Sequence, residues 1–344
     1  MGAFYSPFIS KPDNVSQIML KVLVALIPGI ALYVWYFGPA ILVSITLASI
    51  TALGTEALML KLRNRPLAPF LKDNSALLTA WLLALSIPPL APWWLVVVGT
   101  AFGIAIAKHL YGGLGNNPFN PAMVGYAVLI ISFPQQMTKW LAPHGLVPAE
   151  LGFLDQLAYI FSGVLPDGIK LDAVTMATPL DTLRTRLVLD EQVQQILGLP
   201  IFGSLAGHGS EMVALGFVVG GVYLLVSRII TWHVPAAYLG TLFVTAGIFH
   251  LADPAHYAAP LFHLFSGAAM IGAFFILTDP VTSPTTHKGK LIFAAGAGLL
   301  TFLIRAFGGF PDGVAFATLL MNICVPLIEA HTQPPVFGRK GRRS

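Results

Sequence analysis

Two stretches of 34 residues, Val22–Thr55 and Asn74–Ala107, contain no Asp, Glu, Lys or Arg. A helix needs about 20 apolar residues to cross the hydrocarbon of a bilayer, so each stretch has room for two crossings if a breaker divides it. Both carry one. Tyr33-Val34-Trp35-Tyr36-Phe37-Gly38-Pro39 combines an aromatic belt with a Gly-Pro break, and Pro88-Pro89-Leu90-Ala91-Pro92 interrupts the second stretch. The pattern predicts helices over 20–37, 39–60, 75–88 and 92–109, then a fifth over 119–133. Composition agrees: 10% of the chain is charged, against about 25% in an average soluble protein. A soluble globule of 344 residues would lack a charged skin. This excludes an ordinary soluble enzyme, a secreted disulfide scaffold and a disordered chain.

Residues 134–212 break the pattern. They hold eight carboxylates, scattered Pro and Gly, and no apolar run long enough to span. They read as an extramembrane insert. Five further helices are expected over 213–231, 234–252, 259–278, 291–306 and 312–329. The fold class is an all-α polytopic membrane protein with about ten transmembrane helices. Its parts are a five-helix region (1–133), the insert (134–212), a second five-helix region (213–330) and a basic tail (331–344). No cleavable signal peptide is expected before the first apolar run.

Ten spans put both termini on one side. With the termini in the cytoplasm, fourteen of the 19 basic residues fall inside, Lys108 among them, and five outside, including Arg305. Four of those five sit in the long insert, where charge has little influence on orientation. This places the insert in the periplasm of a bacterial inner membrane. The sequence pI of about 9.2 then reports contact with membrane lipid and not with nucleic acid.

The halves echo each other. Asp73-Asn74-Ser75-Ala76 enters a helix ending at Pro88-Pro89, and Phe265-Ser266-Gly267-Ala268 enters one ending at Thr278-Asp279-Pro280. Tyr111-Gly112-Gly113-Leu114 parallels Phe307-Gly308-Gly309-Phe310. Five spans per half make the second copy inverted. Inverted repeats bind ligands where short, Pro/Gly-broken segments meet. The third helix, at about 1.5 Å per residue, is too short for the full bilayer.

The residues that could carry chemistry are few. The lone Cys324 cannot build a disulfide or an all-Cys cluster. His250, His256 and His263 lack the i, i+4 spacing of a helical metal site and read as interfacial, as do Asp253, Asp312 and Glu329. The Gly112–Asn117 turn lacks the Lys-Ser/Thr of a P-loop and reads as a tight connection. Gly99/Gly103 and Gly216/Gly220 suit close helix packing. Glu56 lies deep in the second predicted helix and Asp279 ends the eighth; a carboxylate at mid-bilayer costs about 2.5–3.5 kcal/mol. They read either as part of an ion pathway, or as structural groups: Glu56 paired with Lys61 or Arg63, and Asp279 capping a helix break.

Asp172-Ala173-Val174-Thr175-Met176-Ala177-Thr178 resembles the D-x-x-[ST]-x-A-T signal for covalent flavin attachment by a flavin transferase. In that chemistry the final threonine hydroxyl, here Thr178, displaces AMP from FAD and keeps FMN through a phosphoester. Pro179 biases Thr178 towards extended backbone. The usual glycine before the alanine is Met176 here.

Taken with Gly112–Asn116, Phe119–Met123, Thr278–Pro284 and Phe307–Phe316, these motifs cover nearly the whole chain. In order, they resemble the D subunits of Rnf complexes, a family related to the B subunit of the sodium-translocating NADH:quinone reductase. The resemblance implies a membrane subunit of a ferredoxin:NAD oxidoreductase that relays electrons through FMN on Thr178 and couples them to Na+ or H+ movement. It implies other Rnf subunits as partners: membrane subunits, a second flavinylated subunit and iron–sulfur subunits. It leaves open a second, non-covalent flavin or a quinone between the repeats. The alternative is a secondary transporter or channel-like subunit with no cofactor, since the repeat and the buried carboxylates fit that equally.

Overall fold

A computed structural model describes residues 14–147 and 149–334. The basic run Arg339–Arg343 and most of the expected tail lie outside the described residues.

Among the described residues, five helices are long and apolar enough to cross a membrane. They are α1 (Val15–Phe37), α2 (Ala40–Leu62), α9 (His233–Ala252), α10 (His287–Phe307) and α11 (Val314–Thr332). Four shorter apolar helices join them: α3 (Ser75–Ala84), α4 (Trp93–His109), α5 (Pro121–Ser132) and α8 (Ser210–Val226). Between α5 and α8 lie two ten-residue helices, α6 (Phe153–Ser162) and α7 (Pro179–Val188), two single helical turns (Pro134–Met137 and Val193–Ile196), and one small antiparallel sheet of β1 (Trp140–Leu141) on β2 (Thr175–Met176).

Local chemistry sets the boundaries. Asn14 and Gln17 form a capping box that starts α1. Gly38, at φ 86°, ends α1 where a side chain would be strained, and α2 begins at Ala40. Helix α3 stops at Ala84, short of the expected residue 88, because the Ser86–Pro92 stretch cannot continue a helix. The expected helix over 259–278 is not continuous. It divides into Pro260–Phe265, Ala269–Ile271 and a π-turn over Gly272–Ile276, with Gly267 at φ 60° at the break. Helix α4 likewise ends in a π-turn, Gly103–His109. Such widened turns gather at functional sites.

Small residues bring the helices together, as expected where lipid supplies no hydrophobic drive between them. A Cβ on Gly216 would stand 2.7 Å from Gly29 Cα, and one on Gly220 would collide with the Ala25 carbonyl. This locks α8 onto α1. A Cβ on Gly103 would stand 2.6 Å from the Pro121 carbonyl, and one on Gly125 2.7 Å from that of Gly99, which seats α4 on α5. The Gly-rich connection is a turn: Gly112, Gly113 and Gly115 all have positive φ.

The segment between α5 and α8 has its own small cores. One gathers Leu141, Leu151, Ile160 and Val174 over Ala40 and Leu90. The other gathers Leu180, Leu183, Val193, Ile196 and Phe202 with Phe262 of the broken segment. His144 N donates to Tyr36 O (2.8 Å) and Arg184 Nη1 to Gly309 O (2.6 Å), so the segment is fastened to both halves of the helical bundle.

Candidate functional site

Thr178 is the N-cap of α7. Its backbone is extended (φ −67°, ψ 159°), as the following proline requires, and Pro179 occupies the first helical position, where its missing N–H costs nothing. Thr178 Oγ1 accepts from Asp181 N at 3.2 Å. The rest of the motif runs turn, strand, cap. Asp172 is exposed on a 3₁₀ turn (Leu171–Ala173), Thr175 Oγ1 donates to Leu171 O (3.0 Å), and Ala177 is exposed just before the cap. Met176 pairs with Trp140 in the sheet. Extended backbone accepts any side chain, so this position does not need the pattern's usual glycine.

Thr178 opens onto the larger of two substantial cavities between the halves of the bundle, about 190 Å³. Its walls are apolar and aromatic: Tyr33, Phe37, Met123, Tyr126, Met176 and Phe217. Polar groups are few; Asp181, His208 and Asp312 reach it. Loop 201–209 closes over the threonine. Glu211, in the first turn of α8, holds that loop by accepting from Leu205 N (2.9 Å) and Ala206 N (3.0 Å), and Gly207 lies directly against the Pro179 ring.

A second cavity, about 170 Å³, also has mostly apolar walls but adds Ser75, Lys108, Asn117, Asn120, Asp279 and Lys290 to its lining. The two approach each other across α3, α5 and the broken segment. Leu82, Asn120 and Phe275 face the second; Leu85, Met123 and Ile276 face the first. Asn120 N donates to Asn322 Oδ1 (3.1 Å), and Asn322 Nδ2 to Thr282 O (2.9 Å). These bonds tie the halves at that divide. A third cavity, about 20 Å³, has room for little more than one water.

Glu56 is buried, and its partner is neither Lys61 nor Arg63. Lys108 Nζ donates to Glu56 Oε1 (2.7 Å) and Oε2 (2.9 Å), and to Ser75 Oγ (2.8 Å). Lys61 and Arg63 are exposed. Lys61, five positions on, points off the Glu56 face, and Arg63 lies two turns away. A lysine from the adjacent helix fits instead. His109 Nε2 stands 3.4 Å from the same carboxylate, outside hydrogen-bond geometry. Asp279 does cap a helix break: its carboxylate accepts from Val281 N (3.1 Å) and Thr282 Oγ1 (3.0 Å).

Arg305, in the second half, is buried as Lys108 is. Its guanidinium donates to Asp312 Oδ1 (3.0 Å), His263 O (2.6 Å) and Ser266 O (3.0 Å), while Asp312 Oδ2 accepts from Ala268 N (2.7 Å). Each cation therefore sits at the start of a short helix, Ser75 for one and Ser266–Ala268 for the other. These two basic residues are buried in the bundle and are not the loop charges that the sequence pattern suggests. Asp312 is bonded into this cluster, and His263 is buried at 6% exposure against Phe302. The sequence does carry the signal. Lys108 precedes Gly112-Gly113 and Arg305 precedes Gly308-Gly309, so each buried cation stands just before a double-glycine turn.

Apolar helices of this number and length, wrapped round two internal cavities, define a multi-pass membrane protein. The chain belongs to the NQR2, RnfD, RnfE family, whose model it matches over residues 3–338. It is 55% identical to the D subunit of the ion-translocating oxidoreductase complex of Escherichia fergusonii and 56% identical to that of Shigella dysenteriae serotype 1. It is 55% identical to the corresponding subunit of Escherichia coli strain K12 / DH10B. Each alignment covers 98% of both chains.

Proposed function

We propose that this chain is the D subunit of an Rnf-type ferredoxin:NAD oxidoreductase, carries FMN on Thr178 through a phosphoester, and takes part in coupling electron flow to movement of Na+ or H+. The observation that carries the reading is the position of Thr178 Oγ1: at a helix N-cap, on the rim of an aromatic cavity. In attachment by a flavin transferase the Oγ1–P bond forms, the pyrophosphate bond of FAD breaks, AMP leaves and the hydroxyl proton is released. The phosphoester charge then lies at the positive end of α7, an arrangement worth about 0.3–1 kcal/mol. Bound flavin supplies one- and two-electron chemistry. The protein's part is to anchor it at Thr178, surround it with Tyr33, Tyr126, Met123 and Phe217, and close loop 201–209 against water. The second cavity, with Lys108, Asn120 and Lys290 among apolar walls, is where a further, non-covalent flavin or a quinone would fit this reading.

The architecture that goes with this reading is ten spans in two inverted five-helix repeats, with 134–212 in the periplasm and both termini in the cytoplasm. The paired stations of Lys108 and Arg305, and the positive φ at Asn74 (63°) and Gly267 (60°) before the two short helices, support it. Of the two carboxylates considered for an ion route, Asp279 lines a cavity and Glu56 is held by Lys108. The other Rnf subunits, including a second flavinylated one and the iron–sulfur subunits, complete the relay.

The test is direct. Protein matured beside its flavin transferase is denatured, run on a gel and viewed under ultraviolet light, and its intact mass is measured. A fluorescent band and one FMN adduct, both absent in Thr178→Ala, are expected. A dark band and an unmodified mass, with a second flavinylated protein as positive control, would leave the cofactor-free transporter as the function.

A further inference from the structure

Helix α6 is ten residues long, and one side of it is uncovered. Its inner face is packed: Gln156 and Ile160 are each 2% exposed. Ile160 joins Ala40, Leu90, Leu141 and Val174, while Gln156 Nε2 donates to Leu151 O (3.0 Å). At 100° per residue, Phe153, Leu157, Phe161 and Leu154 fall within a single arc of about 100° that begins beside Ile160 and continues the packed face outward. Leu154 is 75% exposed, Phe161 50% and Phe153 49%, and Val164 just beyond the helix is 63%. The one charged residue of the helix, Asp155, is engaged at its start, accepting from Gly152 N (3.2 Å). No Lys or Arg lies between Lys139 and Lys170.

Its surroundings point to the occupant. The core under α6 includes Ala40, the first residue of α2, and Leu90, three residues before the start of α4. Those helix ends carry outward-facing apolar groups: Leu42 at 44%, Trp93 at 42%, and Trp35 at the end of α1 at 76%. Exposed tryptophans at the ends of apolar helices mark the level of the lipid headgroups. The bare face of α6 therefore lies beside the lipid-facing perimeter of the bundle, at interface depth. We propose that α6 is an interfacial helix, its Phe153–Leu154–Phe161 face seated in the leaflet on the insert side. Its lack of basic residues makes the attachment hydrophobic, not a recognition of anionic headgroups.

The experiment uses the assembled complex in vesicles, with Cys324→Ala as background and assembly checked first. An environment-sensitive fluorophore is placed on Leu154→Cys and, as a control, on Thr185→Cys, an exposed position of α7. The expected result for Leu154→Cys is blue-shifted emission, quenched several-fold more by lipid spin-labelled near the headgroup than by aqueous iodide. It should be the same in phosphatidylethanolamine/phosphatidylcholine vesicles as in vesicles containing phosphatidylglycerol. The control should show the reverse preference. Iodide quenching equal to the control overturns the proposal by showing a solvated face. Quenching by neither agent overturns it by showing that another subunit covers the helix. Quenching that needs phosphatidylglycerol overturns the hydrophobic mode of attachment.

Discussion

Lys108 Nζ lies 2.7 Å from Glu56 Oε1 with both side chains shut off from solvent, at 2% and 1% exposure. A lone charge so deep is costly to bury; the pair, with Ser75 as a third partner, offsets that cost. Removing one member strands the other, at a cost of about 3–5 kcal/mol, whereas removing both is far milder. Lys108→Met and Glu56→Gln should each lower the thermal stability of the purified protein sharply, and the double variant should recover most of the loss. A double variant as unstable as the sum of the singles would show that the two groups act independently.

The fork of Arg305 is held by an Asp312 carboxylate and two backbone carbonyls at the break before Ala269. Lysine keeps the charge but cannot make this planar set of bonds. Arg305→Lys should cost about 1.5–3 kcal/mol, the range for hydrogen bonds to a charged group, and should loosen the Ser266–Ile271 stretch. Hydrogen exchange of that stretch, with flavin loading on Thr178 as a second readout, checks it. Wild-type protection in Arg305→Lys would remove the guanidinium from its assigned role.

Much of this molecule is legible in the chain. Charge-free runs and their Gly-Pro breaks locate α1, α2 and α4 to within a few residues, because in lipid the backbone must satisfy its own hydrogen bonds and helices are the default. Glycine spacing foretells the contacts of Gly216 and Gly220. The partners of buried charges are not legible. Glu56 is followed by Lys61 and Arg63 in sequence, yet its cation arrives from a helix 52 residues on, and only the packing of α2 against α4 decides that. Nor does hydropathy expose the break at Gly267, since an apolar segment that bends reads the same as one that runs straight. Asp312 reads as an interfacial carboxylate at a helix end, and nothing in the sequence shows that Arg305 is its partner.

Gly220 approaches α1 so closely that no side chain fits against the Ala25 carbonyl. Gly220→Ala should push α8 from α1, at about 1–3 kcal/mol for overpacking, while Gly240→Ala, where nothing lies within 4 Å, should be neutral or slightly stabilising through helix propensity. Thermal melts of the two variants in one detergent give the comparison. Equal melting temperatures would mean that the helices separate freely at this contact.

Thr178 has two duties that substitution can separate. As N-cap it bonds Asp181 N, and its loss should cost about 1 kcal/mol of local helix stability. As proposed flavin anchor it supplies the bridging oxygen. Thr178→Asn keeps a capping oxygen but offers no hydroxyl, so it should retain the stability of α7 and lose the in-gel fluorescence entirely. Thr178→Ala should lose both. Thr178→Ser keeps both the cap and a hydroxyl, so its folding should match wild type, and any fall in fluorescence would report the transferase's demand for threonine. Persistent fluorescence in Thr178→Asn, with a mass still one FMN above the polypeptide, would move the attachment to another residue and leave Thr178 as a cap alone.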